Sequence, residues 1–173
     1  MACLRVSLAL FAALVTGCMP PGSSQPSVVQ SKDGSTQVRV PAGWVKATDL
    51  NDEADLQVAN RRDNAFFIVL SEPKSDFGAD IDYRAHAKLT LNHIMDAVTN
   101  PEVTGPTALR VGGLPAVQYV VQGNVKALRI VYLHTTVEGK ETFHQLLGWT
   151  TPSRLDRNRP VLEGIIASFA ETK

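Results

Sequence analysis

Apolar residues recur along the chain in short runs that predict a series of strands. Alternation over residues 37–40 predicts a first strand, which ends at the turn Pro41-Ala42-Gly43. Residues 56–60 and 65–70 predict a hairpin across a polar turn. The second of these segments is apolar throughout, which is typical of a strand that is buried on both faces.

Two segments show the spacing of apolar residues that is typical of a helix packed on a core, at about 82–98 and 158–169. Pro160 lies in the first turn of the second segment, where a missing N–H is tolerated. Four further strands are predicted, at 103–111, 116–121, 126–137 and 142–149. The mixture predicts an α/β/α sandwich, a largely antiparallel sheet with helices packed on its faces.

The N-terminal residues 1–17 have the pattern of an export signal. Arg5 precedes an apolar stretch over residues 6–15, which is too short to span a bilayer. Residues 14–18 then read Leu-Val-Thr-Gly-Cys, which resembles the bacterial lipobox. We therefore expect a lipoprotein signal peptide that is removed before an acylated Cys18. A buried N-terminal helix with an incidental cysteine is the alternative.

The lipobox also predicts the domain organisation and the cellular location. Residues 18–34 are expected to form the lipidated cysteine and a flexible Pro- and Ser-rich tether, and residues 35–170 one domain. Acyl chains would make the lipid bilayer a partner through Cys18. Met19 follows the cysteine, where an Asp would resemble an inner-membrane retention signal. We expect a location in the cell envelope, on the outer membrane facing the periplasm if the organism has two membranes.

Composition narrows the classes of function. The chain has 17 Lys+Arg and 17 Asp+Glu, whereas nucleic-acid-binding domains carry a basic excess. Cys3 lies in the signal and Cys18 would carry lipid, which leaves no thiol nucleophile and no cysteine metal site. The sequence has no Gly-rich phosphate loop, no Gly-x-Ser-x-Gly elbow and no His-Glu-x-x-His helix. We expect no nucleic-acid partner, no cofactor and no enzymatic activity.

One candidate surface lies on the first predicted helix. His86 and His93 share a flank with Leu89 and stand ~10 Å apart along the axis, too far to bind one metal ion directly. If these side chains are exposed, they form a possible contact patch for a protein partner. An ordinary polar helix edge is the alternative.

A possible metal site is predicted on two strands joined by a tight turn. His134 and His144 could bind a metal ion together with Glu141 if both rings face one side of the sheet. Ordinary sheet positions are the alternative. The loop at residues 49–55 has oxygen side chains at the 1, 3, 5, 7 spacing of a calcium loop, but its sixth position is Ala54 rather than Gly. A solvated acidic loop is therefore favoured there.

Several short segments, in order, resemble the PsbP/DcrB-like domains of photosystem II extrinsic subunits and bacterial envelope lipoproteins. They are Val40-Pro41-Ala42-Gly43-Trp44, residues 65–72 with a final Ser-Glu pair, Val111-Gly112-Gly113-Leu114-Pro115-Ala116, Trp149-Thr150 and the terminal pattern Leu162, Ile165, Ser168-Phe169. The resemblance covers about residues 35–170. It implies an α/β/α sandwich that supplies binding or assembly surfaces and brings no catalytic residues.

Three hypotheses about function follow. The first is a non-catalytic envelope lipoprotein whose domain binds or helps assemble a membrane or periplasmic protein partner. The second is a small-ligand or metal carrier that uses a cleft near His134, His144 and Glu141. The third is an enzyme, which would need a concave site with perturbed titratable groups.

Overall fold

The computed structural model describes residues 24–172. The predicted signal peptide and Cys18 lie outside these residues. In chain order the elements are β1 Ser27–Gln30, β2 Thr36–Val40, β3 Val45–Lys46, β4 Leu56–Asn60, β5 Ala65–Pro73, α1 Tyr83–Ala97, β6 Thr99–Val111, β7 Leu114–Val125, β8 Leu128–Glu138, β9 Thr142–Thr150, α2 Leu155–Ala167 and β10 Ala170–Glu171. Within this range no helix is both long enough and apolar enough to cross a bilayer.

A seven-stranded sheet forms the centre of the domain, in the order β3-β4-β5-β9-β8-β7-β6. Every neighbouring pair in it is antiparallel. β5 lies inside the sheet, and its successive residues Phe67 and Ile68 are both buried but belong to different core clusters. The prediction that this strand is buried on both faces is confirmed, since successive side chains of a strand point to opposite faces.

The two helices cover opposite faces of the large sheet. α1 packs Ala87, Leu91 and Ile94 into the core that contains Ile68. α2 packs its apolar side, including Leu162 and Ile165, into the other core, which also contains residues of β2. β2 belongs to a second, three-stranded sheet with the order β1-β2-β10. The predicted α/β/α sandwich with a largely antiparallel sheet is confirmed.

The structured domain begins earlier than residue 35. Ser27–Gln30 form β1 and pair with β2 along their whole length, although residues 18–34 were expected to be a tether. The sequence does not reveal this strand, because it has only four residues and follows a Pro- and Ser-rich stretch. Such a short run does not show a clear alternation. The domain therefore starts at about Ser27.

The second helix also begins earlier than predicted. α2 starts at Leu155 rather than near residue 158, so Pro160 lies inside the helix and not in its first turn. A hydrogen bond from Asn158 to Thr150 anchors this part of α2 to the end of β9. Asn158 is buried, and this anchoring gives an otherwise polar first turn a fixed position on the sheet.

Candidate functional site

The predicted contact patch on α1 is not a single surface. Leu89 and His93 are exposed, but His86 is fully buried. Its Nε2 lies 2.9 Å from a carboxylate oxygen of Glu72 at the end of β5, and its ring stacks on Phe143 with 4.7 Å between centroids. His86 therefore holds α1 on the sheet, and only Leu89 and His93 remain accessible to a partner.

Glu72 is the acidic member of this buried contact. It also accepts a hydrogen bond of 2.6 Å from Gln145 on β9. Burial raises the pKa of Glu72, but the hydrogen bonds from His86 and Gln145 and the charges of His86 and His93 outweigh burial and bring the pKa below its usual value. Glu72 is therefore an ionised acceptor that positions two neighbours.

His134 lies deeper beneath the same helix. Its Nε2 is 3.0 Å from the hydroxyl of Thr90 on α1, and its ring is fully buried. Burial, reinforced by the nearby His86, lowers the pKa of His134 to about 3, so the ring is neutral at physiological pH. The Nδ1 atoms of both histidines and the hydroxyl of Thr136 are buried without a hydrogen-bond partner among residues 24–172.

His144 lies on the opposite face of the sheet from His134. Its Nδ1 is 2.9 Å from the hydroxyl of Ser71, its Nε2 is 3.0 Å from Glu171, and its ring packs against Phe169. His134 contacts α1, whereas His144 contacts the C-terminal strand. The predicted metal set of His134, His144 and Glu141 is therefore not assembled, because the register places the two rings on different faces.

The Ser71–His144–Glu171 chain has the residue types of an acyl-transfer triad, but its geometry is that of a structural tie. The ring is only 3% exposed, and the hydroxyl meets Nδ1 while Nε2 meets the carboxylate. An added Cβ at Gly139 would collide with both His144 and Glu171, so the backbone of the β8–β9 turn closes over the ring. The three residues join β5, β9 and β10.

The acidic loop before β4 is also built for structure. Gln57 accepts hydrogen bonds from the backbone amides of Leu50 and Asn51 and donates one of 2.6 Å to the carbonyl of Asn51. Asp49 pairs with Arg61. In the part of the chain that the structure describes, no three His, Cys, Asp or Glu side chains are placed to hold a metal ion.

A groove lies between two strand edges, and we call it the β1–β3 groove. It has a volume of about 770 Å³ and is lined by residues 27–31 and 44–46. β1 is an edge strand of the small sheet, and β3 is an edge strand of the large sheet. The groove therefore lies where both sheets end.

The register shows which backbone groups of β1 point away from β2, towards the free edge of the sheet. Ser31 donates to the carbonyl of Thr36, so these two residues form a hydrogen-bonded pair of the β1–β2 ladder. Such pairs alternate along antiparallel strands, so Val28 and Gln30 are in non-hydrogen-bonded pairs with β2. Their N–H and C=O groups consequently point away from β2, along the free edge.

The same argument applies to β3. Ala47 donates to the carbonyl of Gln57, which makes this a hydrogen-bonded pair in line with the β3–β4 ladder. Lys46 is therefore a non-hydrogen-bonded partner of Val58, and its backbone N–H and C=O point away from the sheet. Both walls of the groove thus carry backbone groups that are unpaired within the described part of the chain.

Sequence reasoning missed this groove entirely. Ser27-Val28-Val29-Gln30 has the β-branched content of a strand, but it directly follows a Pro- and Ser-rich stretch. The sequence marks Trp44 only through the family resemblance, whereas in the structure Trp44 is buried and lines the groove. The available signal was the pair of adjacent valines.

No protein-family model matches the sequence, and no curated protein matches it. The solution structure of cyanobacterial PsbP (CyanoP) from Synechocystis sp. PCC 6803 is similar to this chain at a TM-score of 0.64 and 13% identity, covering 90% of this chain and 97% of that one. The chain has a PsbP-like fold. The predicted resemblance to PsbP/DcrB-like domains is thus confirmed at the level of the fold.

Two further solved structures share the PsbP-like fold. LpqN of Mycobacterium tuberculosis, which is involved in cell envelope biogenesis, has a TM-score of 0.63 at 15% identity and covers 86% of this chain and 91% of its own. PA94 of Pseudomonas aeruginosa, a putative regulator of unknown function, has a TM-score of 0.55 at 11% identity and covers 86% and 99%. At these identities the likeness shows the fold alone.

Proposed function

We propose that this protein is an envelope lipoprotein, acylated at Cys18, whose PsbP-like domain binds a membrane or periplasmic protein partner without catalysing a reaction. The sequence supports the anchor through the lipobox-like residues 14–18. The fold shared with LpqN, a protein of cell envelope biogenesis, supports the location. On this proposal the outer membrane is the site of anchoring in a cell with two membranes.

The observation that carries the binding role is the β1–β3 groove. It is open, its lining includes backbone groups that have no backbone partner among residues 24–172, and it has the size of a binding site. The chain from Cys18 to Ser27 can reach at most roughly 30 Å. An acylated Cys18 would therefore keep the groove close to the bilayer, within reach of membrane proteins.

Replacing Cys18 by Ser tests the anchor. We expect the variant to move from the membrane fraction to the soluble fraction, because the acyl chains supply the hydrophobic attachment. The control is Cys3→Ser, which lies in the predicted signal peptide and should leave fractionation unchanged. A Cys18→Ser protein that still sediments with membranes contradicts the lipoprotein assignment.

Cross-linking in the native host tests the binding role separately. The full-length protein with a photo-reactive amino acid at Val28, whose side chain is 52% exposed, should give a defined adduct with one envelope protein. The control position is Val103 on β6, which is 41% exposed and lies at the other end of the large sheet. No adduct above background at any exposed position contradicts the proposed function.

A further inference from the structure

We propose that the β1–β3 groove binds an extended segment of the partner protein that carries a carboxylate, and that this segment adds to β1 as an extra strand. The inference rests on the proposed function and specifies how the partner is recognised. Main-chain hydrogen bonds would supply the affinity of such strand addition, and side-chain pockets its specificity.

The backbone of β1 is arranged for this mode of binding. Val28 and Gln30 direct their amides and carbonyls outward, and neither amide donates to another backbone group within residues 24–172. Lys46 presents its amide and carbonyl from the opposite wall in the same way. An incoming strand can therefore form hydrogen bonds with β1 on one side while it meets polar backbone groups of β3 on the other.

β1 lacks the features that block pairing at the other end of the large sheet. β6 contains Pro101 and Pro106, and its pairing with β7 shifts register on both sides of residues 102–104. Glu102 forms an exposed ion pair with Arg129 beside it. Prolines, charges and bulges are the usual protection of strand edges against added strands. β1 consists of Ser-Val-Val-Gln, without charge or proline.

The charge of the groove indicates the occupant. Lys46 is exposed, and no acidic residue lines the groove. No ion pair to Lys46 occurs among residues 24–172. A carboxylate on the incoming strand complements this cation. A second copy that presents the same edge brings no acidic side chain from its own groove lining, so an acidic partner segment is favoured over self-pairing.

Peptide probes test the inference on the full chain, solubilised in detergent. The first probe is a pool of nonapeptides with Val, Thr or Ile at alternate positions and a Glu at the centre. A second pool has Lys in place of Glu, and a third is the Glu pool with alternate backbone amides N-methylated. We expect the Glu pool to bind, the Lys pool to bind about tenfold more weakly, and the methylated pool to lose binding.

Hydrogen exchange locates the contact. Bound Glu peptides should slow exchange at Val28, Gln30 and Lys46 and leave the amides of β6 unchanged. Protection confined to β6 or α1 overturns the inference, as does a lack of binding by the Glu pool. Equal binding of the methylated pool overturns it as well, since side-chain adhesion would then replace main-chain pairing.

Two variants provide the matched test in the protein. Val28→Pro removes an outward amide, whereas Val28→Thr keeps it and changes only the side chain. We expect loss of peptide binding in the first and a change of less than about twofold in the second. Lys46→Glu should reverse the preference between the Glu and Lys pools. The control Lys126→Glu, at an exposed lysine between β7 and β8, should not.

Cross-linking in the host separates this inference from the proposed function. If Val28→Pro still gives the partner adduct, with the cross-linker at Gln30, the partner contacts this edge without main-chain pairing to β1 and the strand-addition inference is wrong. If the wild-type protein gives no adduct at any position, the proposed function itself fails. A concentration-dependent dimer that Val28→Pro abolishes would replace the partner segment by a second copy and overturn the inference.

Discussion

The interior beneath α1 and the β1–β3 groove both contain polar groups without partners among residues 24–172, but only the groove is open to a ligand. Beneath α1 the Nδ1 atoms of His86 and His134 and the hydroxyl of Thr136 are sealed from solvent. In the groove the amides of Val28 and Gln30 lie at a free strand edge. The two regions thus differ in access rather than in polarity.

This difference teaches which unpaired groups can act in binding. A buried donor or acceptor without a partner costs about 1–3 kcal/mol and affects the stability of the fold. An amide at an open edge forms hydrogen bonds with water, so the lack of a protein partner costs the fold little stability. An incoming strand can replace that water. Two of the histidines singled out in the sequence, His86 and His134, belong to the closed region, whereas backbone groups form the open one.

Acid should destabilise the protein through the closed region, and this is the largest effect that we expect. Above pH 6.5 His134 is neutral in both the folded and unfolded states. Below pH 6.5 the unfolded chain takes up a proton on this ring, but the folded chain does not until the pH approaches the depressed pKa of about 3. Stability is therefore lost as pH falls through this window, by about 1.4 kcal/mol per pH unit from this group.

The variant His134→Gln isolates this contribution. From pH 6.5 to 4.5 the free energy of unfolding of the wild-type protein should fall by roughly 2.3 kcal/mol more than that of the variant, because the ring is already half protonated in the unfolded chain at pH 6.5. Urea unfolding followed by circular dichroism measures both. His93→Gln changes an exposed histidine on α1 whose charge acts on Glu72, so its curve should depart from that of the wild-type protein much less than the curve of His134→Gln does. Parallel curves for His134→Gln and the wild-type protein would show that burial of this ring does not determine acid sensitivity. His86 and Glu72, the titratable neighbours on this face, are kept in both proteins.

Much of the closed region could be predicted from the sequence. The periodicity of residues 82–98 predicts α1 to within about a residue at each end, and the apolar run at 65–70 identifies a strand buried on both faces. The face of the sheet on which His134 and His144 lie could not be predicted, because a shift of one residue in register moves a side chain to the other face of the sheet. The position of His86 depends on a contact with Glu72, fourteen residues earlier, that helix periodicity does not encode.

The adjacent valines of β1 were the only side-chain signal for the open region, and they do not show that this strand has a free edge. A free edge is defined by which strands lack a neighbour, and that is a property of the sheet order rather than of any residue. β3 has only two residues, and β10 likewise, so neither gives a run that periodicity can detect. The groove exists because β1 and β3 each end a different sheet at the same place.

Proline substitutions test which amides of β1 point towards β2 and which point towards the free edge. They should have the next largest effect. Val29 is in a hydrogen-bonded pair with Val38, so Val29→Pro removes a ladder bond and should cost roughly 1–3 kcal/mol. Val28→Pro removes only an outward amide and should cost less than about 1 kcal/mol. Urea unfolding at pH 7 compares the two variants. A reversed order of stability would mean that Val28, not Val29, pairs with β2, and the outward edge would then be assigned wrongly.

The smallest effect is expected at the exposed patch on α1, and it decides between side-chain and backbone recognition. Leu89→Ser and His93→Ser alter exposed side chains, so stability should change by about 0.5 kcal/mol or less. If the groove binds the partner, the double variant should give as much adduct from a photo-reactive residue at position 28 as the parent protein does. Loss of the adduct with unchanged stability would place the interface on α1. In that case the exposed leucine and histidine, and not the free edge of β1, would be what the partner recognises.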